Sequence, residues 1–193
     1  MQSHAASGGV LLADAEIRLS PNRDPRPEGC EIDLLVIHNI SLPPGEFGGP
    51  WIDDLFLNRL DPTRHPYFEA IKDLRVSAHL LIRRDGELIQ YVPLEQRAWH
   101  AGVSNYCGRE GCNDFSIGIE LEGTDDVAYT DVQYRTLIRA TREIMRRYPA
   151  VTSNRIAGHA EIAPARKTDP GPAFDWPYYQ SRLEAVLRNQ TIG

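Results

Sequence analysis

Residues 31–40 read EIDLLVIHNI, and this stretch decides the fold. From Ile32 to Ile37 nearly every residue is branched and apolar, a pattern typical of a strand that is covered on both faces. The run ends at His38 and Asn39. Because sheet proteins often place binding and catalytic groups where a buried strand ends, we expect a functional site at this point.

A second strand is indicated by strict alternation. Residues 115–121 read FSIGIEL, so the apolar side chains share one face and the remaining positions share the other. Glu120 therefore points away from the apolar face, beside the gap left by Gly118. This geometry makes Glu120 the best candidate for a catalytic base, although a solvated carboxylate on a polar strand face fits the same pattern.

Turn and capping signals place a hairpin and two helices around these strands. Asp85-Gly86 lies between two strand-like runs and predicts a β-hairpin. Thr130 and Gln133 predict a capping box at the start of a long helix, and Asp175 predicts the start of a final one. Since strands and helices interleave irregularly, we predict a mixed α/β (α+β) fold with a central mixed β-sheet packed by helices.

The length of 193 residues fits a single domain. We expect a poorly ordered or peripheral segment at residues 1–18 and the folded domain at residues 19–190. The net charge of −6 argues against a nucleic-acid partner, and no apolar run approaches the ~18 residues of a membrane span. Without a signal-peptide pattern or CxxC spacing among the three cysteines, we expect a cytoplasmic protein with reduced thiols.

A loop rich in proline and glycine follows the first strand. Residues 41–50 read SLPPGEFGGP, which excludes a long helix or strand and is typical of the wall or lid of a cleft. Several residues in polar, loop-like stretches could line that cleft and bind substrate, and each could equally lie on the surface: Asn39, Trp99, His100, Arg109 and Asn113.

Residues 158–172, GHAEIAPARKTDPGP, concentrate groups that suit a metal site. His159 and Asp169 are of the types that bind Zn²⁺, and Lys167 would place positive charge beside them. Together with His38 they supply the His₂–carboxylate set of hydrolytic zinc sites. Taken singly, the histidines could be hydrogen-bonded structural residues and the aspartate a turn residue. The residues alone leave both interpretations open.

Longer motifs resemble one known family. They are VIHNISLPPGEFGGPWIDDLF, HPYFEAIKDLRVSAHLLIRRDGELIQYV, RAWHAGVSNYCGREGCNDFSIGIELEGTD and GHAEIAPARKTDPGPAFDW, and they extend over about residues 31–177. They closely resemble the cytosolic 1,6-anhydro-N-acetylmuramyl-L-alanine amidases of the zinc-dependent type 2 amidase family. That family is related in fold to the peptidoglycan recognition proteins.

The resemblance implies a role for each candidate residue. His38, His159 and Asp169 correspond to the zinc ligands, Glu120 to the catalytic carboxylate and Lys167 to the second catalytic residue. The implied substrate is a small muropeptide, which is cut at the amide between the lactyl group of anhydro-N-acetylmuramic acid and L-alanine. We expect a monomer that needs no membrane or nucleic acid.

Two other functions fit the same fold. One is a non-catalytic muropeptide-binding module, as in recognition proteins, but the complete set of ligand and catalytic residues speaks against it. The other is an amidase that acts on intact peptidoglycan, which the missing signal-peptide pattern disfavours.

Overall fold

The computed structural model describes residues 9–189. A six-stranded mixed β-sheet lies at the centre of the fold. The strands are β1 (Glu16–Ile17), β2 (Arg23–Pro25), β3 (Leu34–Ile40), β4 (Leu80–Ile82), β5 (Leu88–Gln90), β6 (Gln96–Ala98), β7 (Asn105–Tyr106), β8 (Arg109–Glu110), β9 (Ser116–Glu122) and β10 (Ile156–Gly158). The α-helices are α1 (Trp51–Phe56), α2 (Pro66–Ile71), α3 (Asp131–Arg147), α4 (His159–Ile162) and α5 (Trp176–Arg188).

The main sheet has the order β1-β5-β4-β9-β3-β10, and the other strands form the pairs β2-β6 and β7-β8. Strand β3 runs parallel to both of its neighbours, whereas β4 and β5 form an antiparallel hairpin. The hairpin turns at Asp85-Gly86, where Gly86 has a φ of 88°. Parallel and antiparallel pairs in one sheet, with helices packed on it, confirm the predicted mixed α/β fold.

Strand β3 is covered on both faces, as its apolar run predicts. Its residues alternate between two clusters. Leu35 and Ile37 pack with apolar residues of α3 and α5, whereas Leu34 and Val36 pack with Phe115 and other residues on the opposite face. All four β3 side chains are completely buried. Each such side chain contributes about 1.5–3 kcal/mol of hydrophobic stabilisation, so the strand that ends at the site is held firmly.

The start of the described chain packs more closely than we expected. We predicted a poorly ordered or peripheral segment at residues 1–18, of which residues 1–8 lie outside the described part. Strand β1 pairs with β5 at the edge of the sheet, and the Leu12 side chain is 5% exposed. The Leu12 amide also donates to Gln90 Oε1 at 2.8 Å. The segment is therefore peripheral but packed, and the folded region begins before residue 19.

Helix α3 is anchored to the strands that carry the site. Thr130 Oγ1 accepts from the Gln133 amide at 3.2 Å, in the predicted capping box, and donates to the Arg84 carbonyl at 2.8 Å. The Gln133 side chain donates to the Glu122 carbonyl at the end of β9 at 2.9 Å. The helix start thus fixes the carboxyl ends of β4 and β9. Over residues 9–189, no helix combines the length and apolarity needed to cross a membrane.

We expect Thr130→Ala to lower the free energy of unfolding by about 1 kcal/mol, because the first turn of α3 loses its side-chain cap. Urea unfolding followed by circular dichroism measures the change. The matched control is Thr152→Ala, since Thr152 precedes a short 3₁₀ helix without capping it through its side chain. Equal losses in the two variants would contradict the role of the cap.

Candidate functional site

Two parallel strands bring His38 and Glu120 together. Strands β3 and β9 pair in register, with His38 opposite Glu120. Register partners in a parallel pair point to the same face of the sheet, so both side chains leave the face opposite α3. His38 is 1% exposed, and Glu120 borders a cavity. The predicted site at the end of the apolar strand therefore has a second functional group beside it.

The remaining two groups come from the chain that follows β10. His159 is the first residue of α4, directly after that strand. The loop after α4 folds back on it, because the Ala160 amide donates to the Asp169 carbonyl at 2.9 Å. Gly158 permits this close approach, since a Cβ there would lie 2.9 Å from the ring of Pro170. Asp169 is thereby placed against His159.

His38, His159 and Asp169 converge on one point. Nδ1 of His38 lies 2.9 Å from Nδ1 of His159, and the Asp169 Oδ2 lies 3.1 Å and 3.0 Å from these two nitrogens. Ligands of a tetrahedral zinc ion with bonds of 2.0–2.1 Å lie about 3.3 Å apart. The edges of the nearly equilateral triangle of donor atoms, 2.9–3.1 Å, are slightly shorter than this spacing, so all three atoms can reach a single such ion.

The protonation of His159 also fits a cation. Its Nε2 lies 3.1 Å from the Ala101 carbonyl, which can only accept, whereas the donor Arg166 Nη2 is farther away, at 3.5 Å. The closer carbonyl favours the tautomer with the proton on Nε2. Nδ1 then presents a lone pair toward the Asp169 carboxylate. Two acceptors 3 Å apart repel each other unless a cation or an additional proton lies between them. The donor set is therefore suited to a metal ion.

Burial and neighbouring charge shape the ionisation of these groups. Burial, together with the adjacent His159, lowers the pKa of His38 to about 4, which keeps its imidazole neutral. Burial raises the pKa of Asp169, but its contacts with His159 and His38 outweigh this effect and hold the pKa below the usual range. A neutral imidazole and an ionised carboxylate are the forms that bind metals.

Glu120 and Lys167 border the same cavity, which has a volume of 350 Å³ and also reaches His159 and Asp169. Burial and the nearby charge of Asp169 raise the pKa of Glu120 well above its ordinary value, and Lys167 partly opposes this rise. Oε2 of Glu120 is buried and has no hydrogen-bond partner among the described residues. The carboxyl group is therefore free to act on a bound molecule.

Three of the five predicted substrate residues line this cavity: Asn39, Trp99 and His100. Asn39 is held in place because its Nδ2 donates to Asp125 at 2.8 Å and to the Pro170 carbonyl at 3.1 Å. Trp99 Nε1 is buried and unpartnered within the described chain, like Glu120 Oε2. Trp99 Nε1 and Glu120 Oε2 are thus a buried donor and a buried acceptor without a partner among the described residues.

Arg109 and Asn113 are not among the described residues that line the cavity, and a role for them in substrate binding stays a prediction. Arg109 forms an ion pair with Asp33 at 3.4 Å and lies 3.8 Å from the centre of the Phe115 ring. Asn113 is buried, and its Oδ1 accepts from the amides of His100 and Ala101 at 3.0 and 2.8 Å. Asn113 therefore supports the cavity wall from behind.

Sequence patterns missed the apolar side of the cavity. Helices α1 and α2 and their flanking segments supply it, with Leu42, Leu55, Phe56, Tyr67, Ile71, Leu74 and Val76. The sequence of a short helix such as α1 does not show which of its faces meets a cleft. The proline- and glycine-rich loop contributes Ser41 and Pro44, and the Gly48 amide donates to Glu122 at 2.7 Å. The loop forms a wall, while its movement as a lid stays a prediction.

Comparison with known proteins assigns this arrangement to a family. The sequence profile of the family described as N-acetylmuramoyl-L-alanine amidase matches residues 28–172. The chain belongs to this N-acetylmuramoyl-L-alanine amidase family.

Individual amidases are similar to this chain over most of its length. The chain is 64% identical over 172 residues to 1,6-anhydro-N-acetylmuramyl-L-alanine amidase AmpD of Escherichia coli (strain K12), covering 89% of this chain and 91% of the relative. A crystal structure of a selenomethionine AmpD derivative is similar with a TM-score of 0.86 at 62% identity, covering 89% of this chain and 95% of that one. The E. coli amidase AmiD, in complex with the substrate anhydro-N-acetylmuramic acid-L-Ala-D-gamma-Glu-L-Lys, is similar with a TM-score of 0.57 at 29% identity, covering 82% and 60%.

We expect Asn113→Ala to lower the free energy of unfolding by about 1–3 kcal/mol, because two buried amides lose their acceptor. Equilibrium urea unfolding measures the difference. Asn105→Ala serves as the control, since the exposed Asn105 accepts a single amide bond in a surface turn. If Asn113→Ala changes stability no more than the control does, Asn113 is not a support of the cavity wall.

Proposed function

We propose that this protein hydrolyses the amide bond between the lactyl group of 1,6-anhydro-N-acetylmuramic acid and L-alanine in muropeptides of cell-wall recycling. The observation that carries the proposal is the convergence of three donor atoms within 2.9–3.1 Å of one another, beside the cavity that Glu120 borders. The similarity to AmpD supports the substrate class, because that relative is named for this activity.

The metal in this proposal is Zn²⁺, held by Nδ1 of His38, Nδ1 of His159 and Oδ2 of Asp169. Two neutral imidazoles and one carboxylate are a usual ligand set of hydrolytic zinc sites. When bound, zinc supplies Lewis acidity, which lowers the pKa of coordinated water and polarises the substrate carbonyl. Three protein ligands leave room for water and substrate.

Glu120 is the proposed general base. Its carboxyl group is enclosed next to His38, His159 and Asp169, which together form the donor cluster. Its raised pKa brings it closer to the range in which a carboxylate accepts protons efficiently. Glu120 takes a proton from the attacking water and later delivers it to the nitrogen of the departing L-alanine. Each transfer needs only a short reach, because water and amide occupy the same cavity.

Lys167 is the proposed second catalytic residue. It borders the cavity with Glu120 and Asp169, so that its ammonium group can face the carbonyl oxygen of the scissile amide. Negative charge develops on that oxygen as water adds, and a positioned cation stabilises it more than it stabilises the neutral amide. The loss of one such donor typically costs about 3 kcal/mol of transition-state stabilisation.

The cavity suits a ligand with polar and apolar parts. One side carries Asn39, Trp99, His100 and the catalytic groups, and the other side is formed by apolar residues of α1, α2 and the segments beside them. Nε1 of Trp99, which has no partner in the described part of the chain, can donate a hydrogen bond to a carbonyl or hydroxyl oxygen of the muropeptide. We propose that the protein acts as a cytoplasmic monomer on small soluble muropeptides.

Hydrolysis of a purified 1,6-anhydro-N-acetylmuramyl peptide, followed by chromatography, tests the activity. We expect Glu120→Gln to lower kcat by about 10²–10⁴-fold, because the general base is lost. Its control, Glu110→Gln, changes an exposed carboxylate outside the cavity and should leave kcat unaltered. Binding without hydrolysis in the wild type would favour a non-catalytic module, and faster release from intact sacculi would favour an enzyme of whole peptidoglycan.

Metal analysis after dialysis tests the zinc site separately. We expect one zinc per chain in the wild type. We expect His159→Ala to retain none, because this variant lacks one of the three proposed ligand atoms. His65→Ala, which removes a histidine outside the donor cluster, should keep its zinc. Chelation should abolish hydrolysis and added Zn²⁺ should restore it. Full activity of the metal-free protein would overturn the zinc proposal.

A further inference from the structure

A chain of buried hydrogen bonds runs from the backbone to the donor cluster. Ser116 Oγ lies 2.5 Å from the Cys112 carbonyl and 3.2 Å from His100 Nε2. On the other side of the same ring, His100 Nδ1 lies 2.9 Å from His38 Nε2. Ser116, His100 and His38 are all buried, at 0%, 9% and 1% exposure, so solvent does not replace these partners.

The chemistry of the groups sets the direction of every bond. The Cys112 carbonyl only accepts, so the single proton of the Ser116 hydroxyl points to it. Ser116 Oγ is then an acceptor toward the ring, and His100 Nε2 must carry a proton. A neutral imidazole has one N–H, so His100 Nδ1 is an acceptor and receives the proton of His38 Nε2. His38 Nδ1 then carries no proton, and its lone pair points toward the donor cluster.

Packing against Gly118 and a hydrogen bond of the His100 backbone amide fix the position of the His100 ring. A Cβ at position 118 would lie 2.5 Å from His100 Cγ and Nδ1, so the ring packs against the sheet only because Gly118 has no side chain. The His100 amide is bound to Asn113 Oδ1 at 3.0 Å. Neighbouring His79 does not compete, since its Nδ1 accepts from the Gly118 amide and its Nε2 faces the Gln96 carbonyl.

Without this chain, the donor cluster itself would favour the opposite arrangement. The ionised Asp169 lies 3.1 Å from His38 Nδ1 and attracts a proton to that nitrogen. A proton on Nδ1 would satisfy the carboxylate, but it would occupy the lone pair that a metal ion needs. A histidine beside a carboxylate therefore requires a partner on its far nitrogen to remain a ligand.

We propose that His100 and Ser116 are positioning residues that hold His38 in the tautomer with the proton on Nε2, so that Nδ1 is available to the metal. This inference deepens the zinc site proposed above and rests on it. Neither residue contacts the metal. They act by deciding which His38 nitrogen bears the proton, and Gly118 acts by giving the His100 ring its place.

Two measurements test the proposal. The first records two-bond ¹H–¹⁵N correlations of the histidine rings in the zinc-free full-length protein, because these spectra distinguish the two neutral tautomers. The second measures zinc affinity by competition with a chromophoric chelator. The variants are Ser116→Ala, His100→Leu and His100→Asn, of which the last keeps an acceptor oxygen near the position of Nδ1.

Ser20→Ala is the matched control, because its hydroxyl is also fully buried, donates to a backbone carbonyl (Phe56) and accepts an amide (Asn22). We expect Ser116→Ala and His100→Leu to bind zinc about 10–100-fold more weakly than wild type, with His100→Asn recovering most of the affinity. In the spectra, His38 and His100 of the wild type should carry their proton on Nε2.

The possible failures are distinguishable. If the wild type binds no zinc, the proposed zinc site fails, while the spectra still report the tautomers. If zinc binds but the spectra show the His100 proton on Nδ1, the positioning role is wrong. It is equally wrong if Ser116→Ala binds zinc as tightly as Ser20→Ala does, or if His100→Asn loses as much affinity as His100→Leu.

Discussion

The register between β3 and β9 is the constraint on which the site depends. The two strands pair residue for residue from Leu34 opposite Ser116 to Ile40 opposite Glu122. A slip by one residue would turn every side chain of one strand to the other face. The alternating apolar residues of β9 prevent this slip, since they belong to the core beneath α3. Hydrophobic pairing on one face thereby sets the chemistry on the other, where His38, Ser116 and Glu120 share a surface.

The enclosed position of these groups strengthens each of their interactions. In a medium of low polarity, a hydrogen bond or a charge pair is stronger than in water, and an unpartnered group costs more. The donor cluster concentrates acceptors that repel one another, next to the Glu120 carboxyl group, whose Oε2 has no partner within residues 9–189. Such an arrangement lowers stability locally and persists because most side chains of β3 and β9, the strands that carry it, are buried. Function and folding stability therefore oppose each other at this point, as in many active sites.

Local patterns predicted the two central strands, the hairpin and two capped helices, because apolar periodicity, turn residues and caps act over a few neighbouring residues. They placed Glu120 on its strand and His38 at the end of an apolar run, but β3 continues to Ile40, and the patterns did not show that the two strands are neighbours. The convergence of His38 with Asp169 joins distant parts of the chain. The residue types alone offered it as one of two open interpretations, and the family resemblance favoured it. Arg109 and Asn113 show the limit most clearly. Both lie in a polar segment, and their directions are decided by the tertiary partners that they meet, a carboxylate in one case and backbone amides in the other.

The short strand β1 has a consequence beyond the architecture. It covers the outer edge of β5, whose backbone groups would otherwise be open to pairing with another chain. The opposite margin of the sheet, β10, is only three residues long. Residues 9–18 therefore occupy the backbone edge of β5 that another chain could otherwise pair with. A chain that begins at residue 19 would keep His38, Glu120, His159 and Asp169 but would leave the backbone edge of β5 open, so truncations are best placed before this segment.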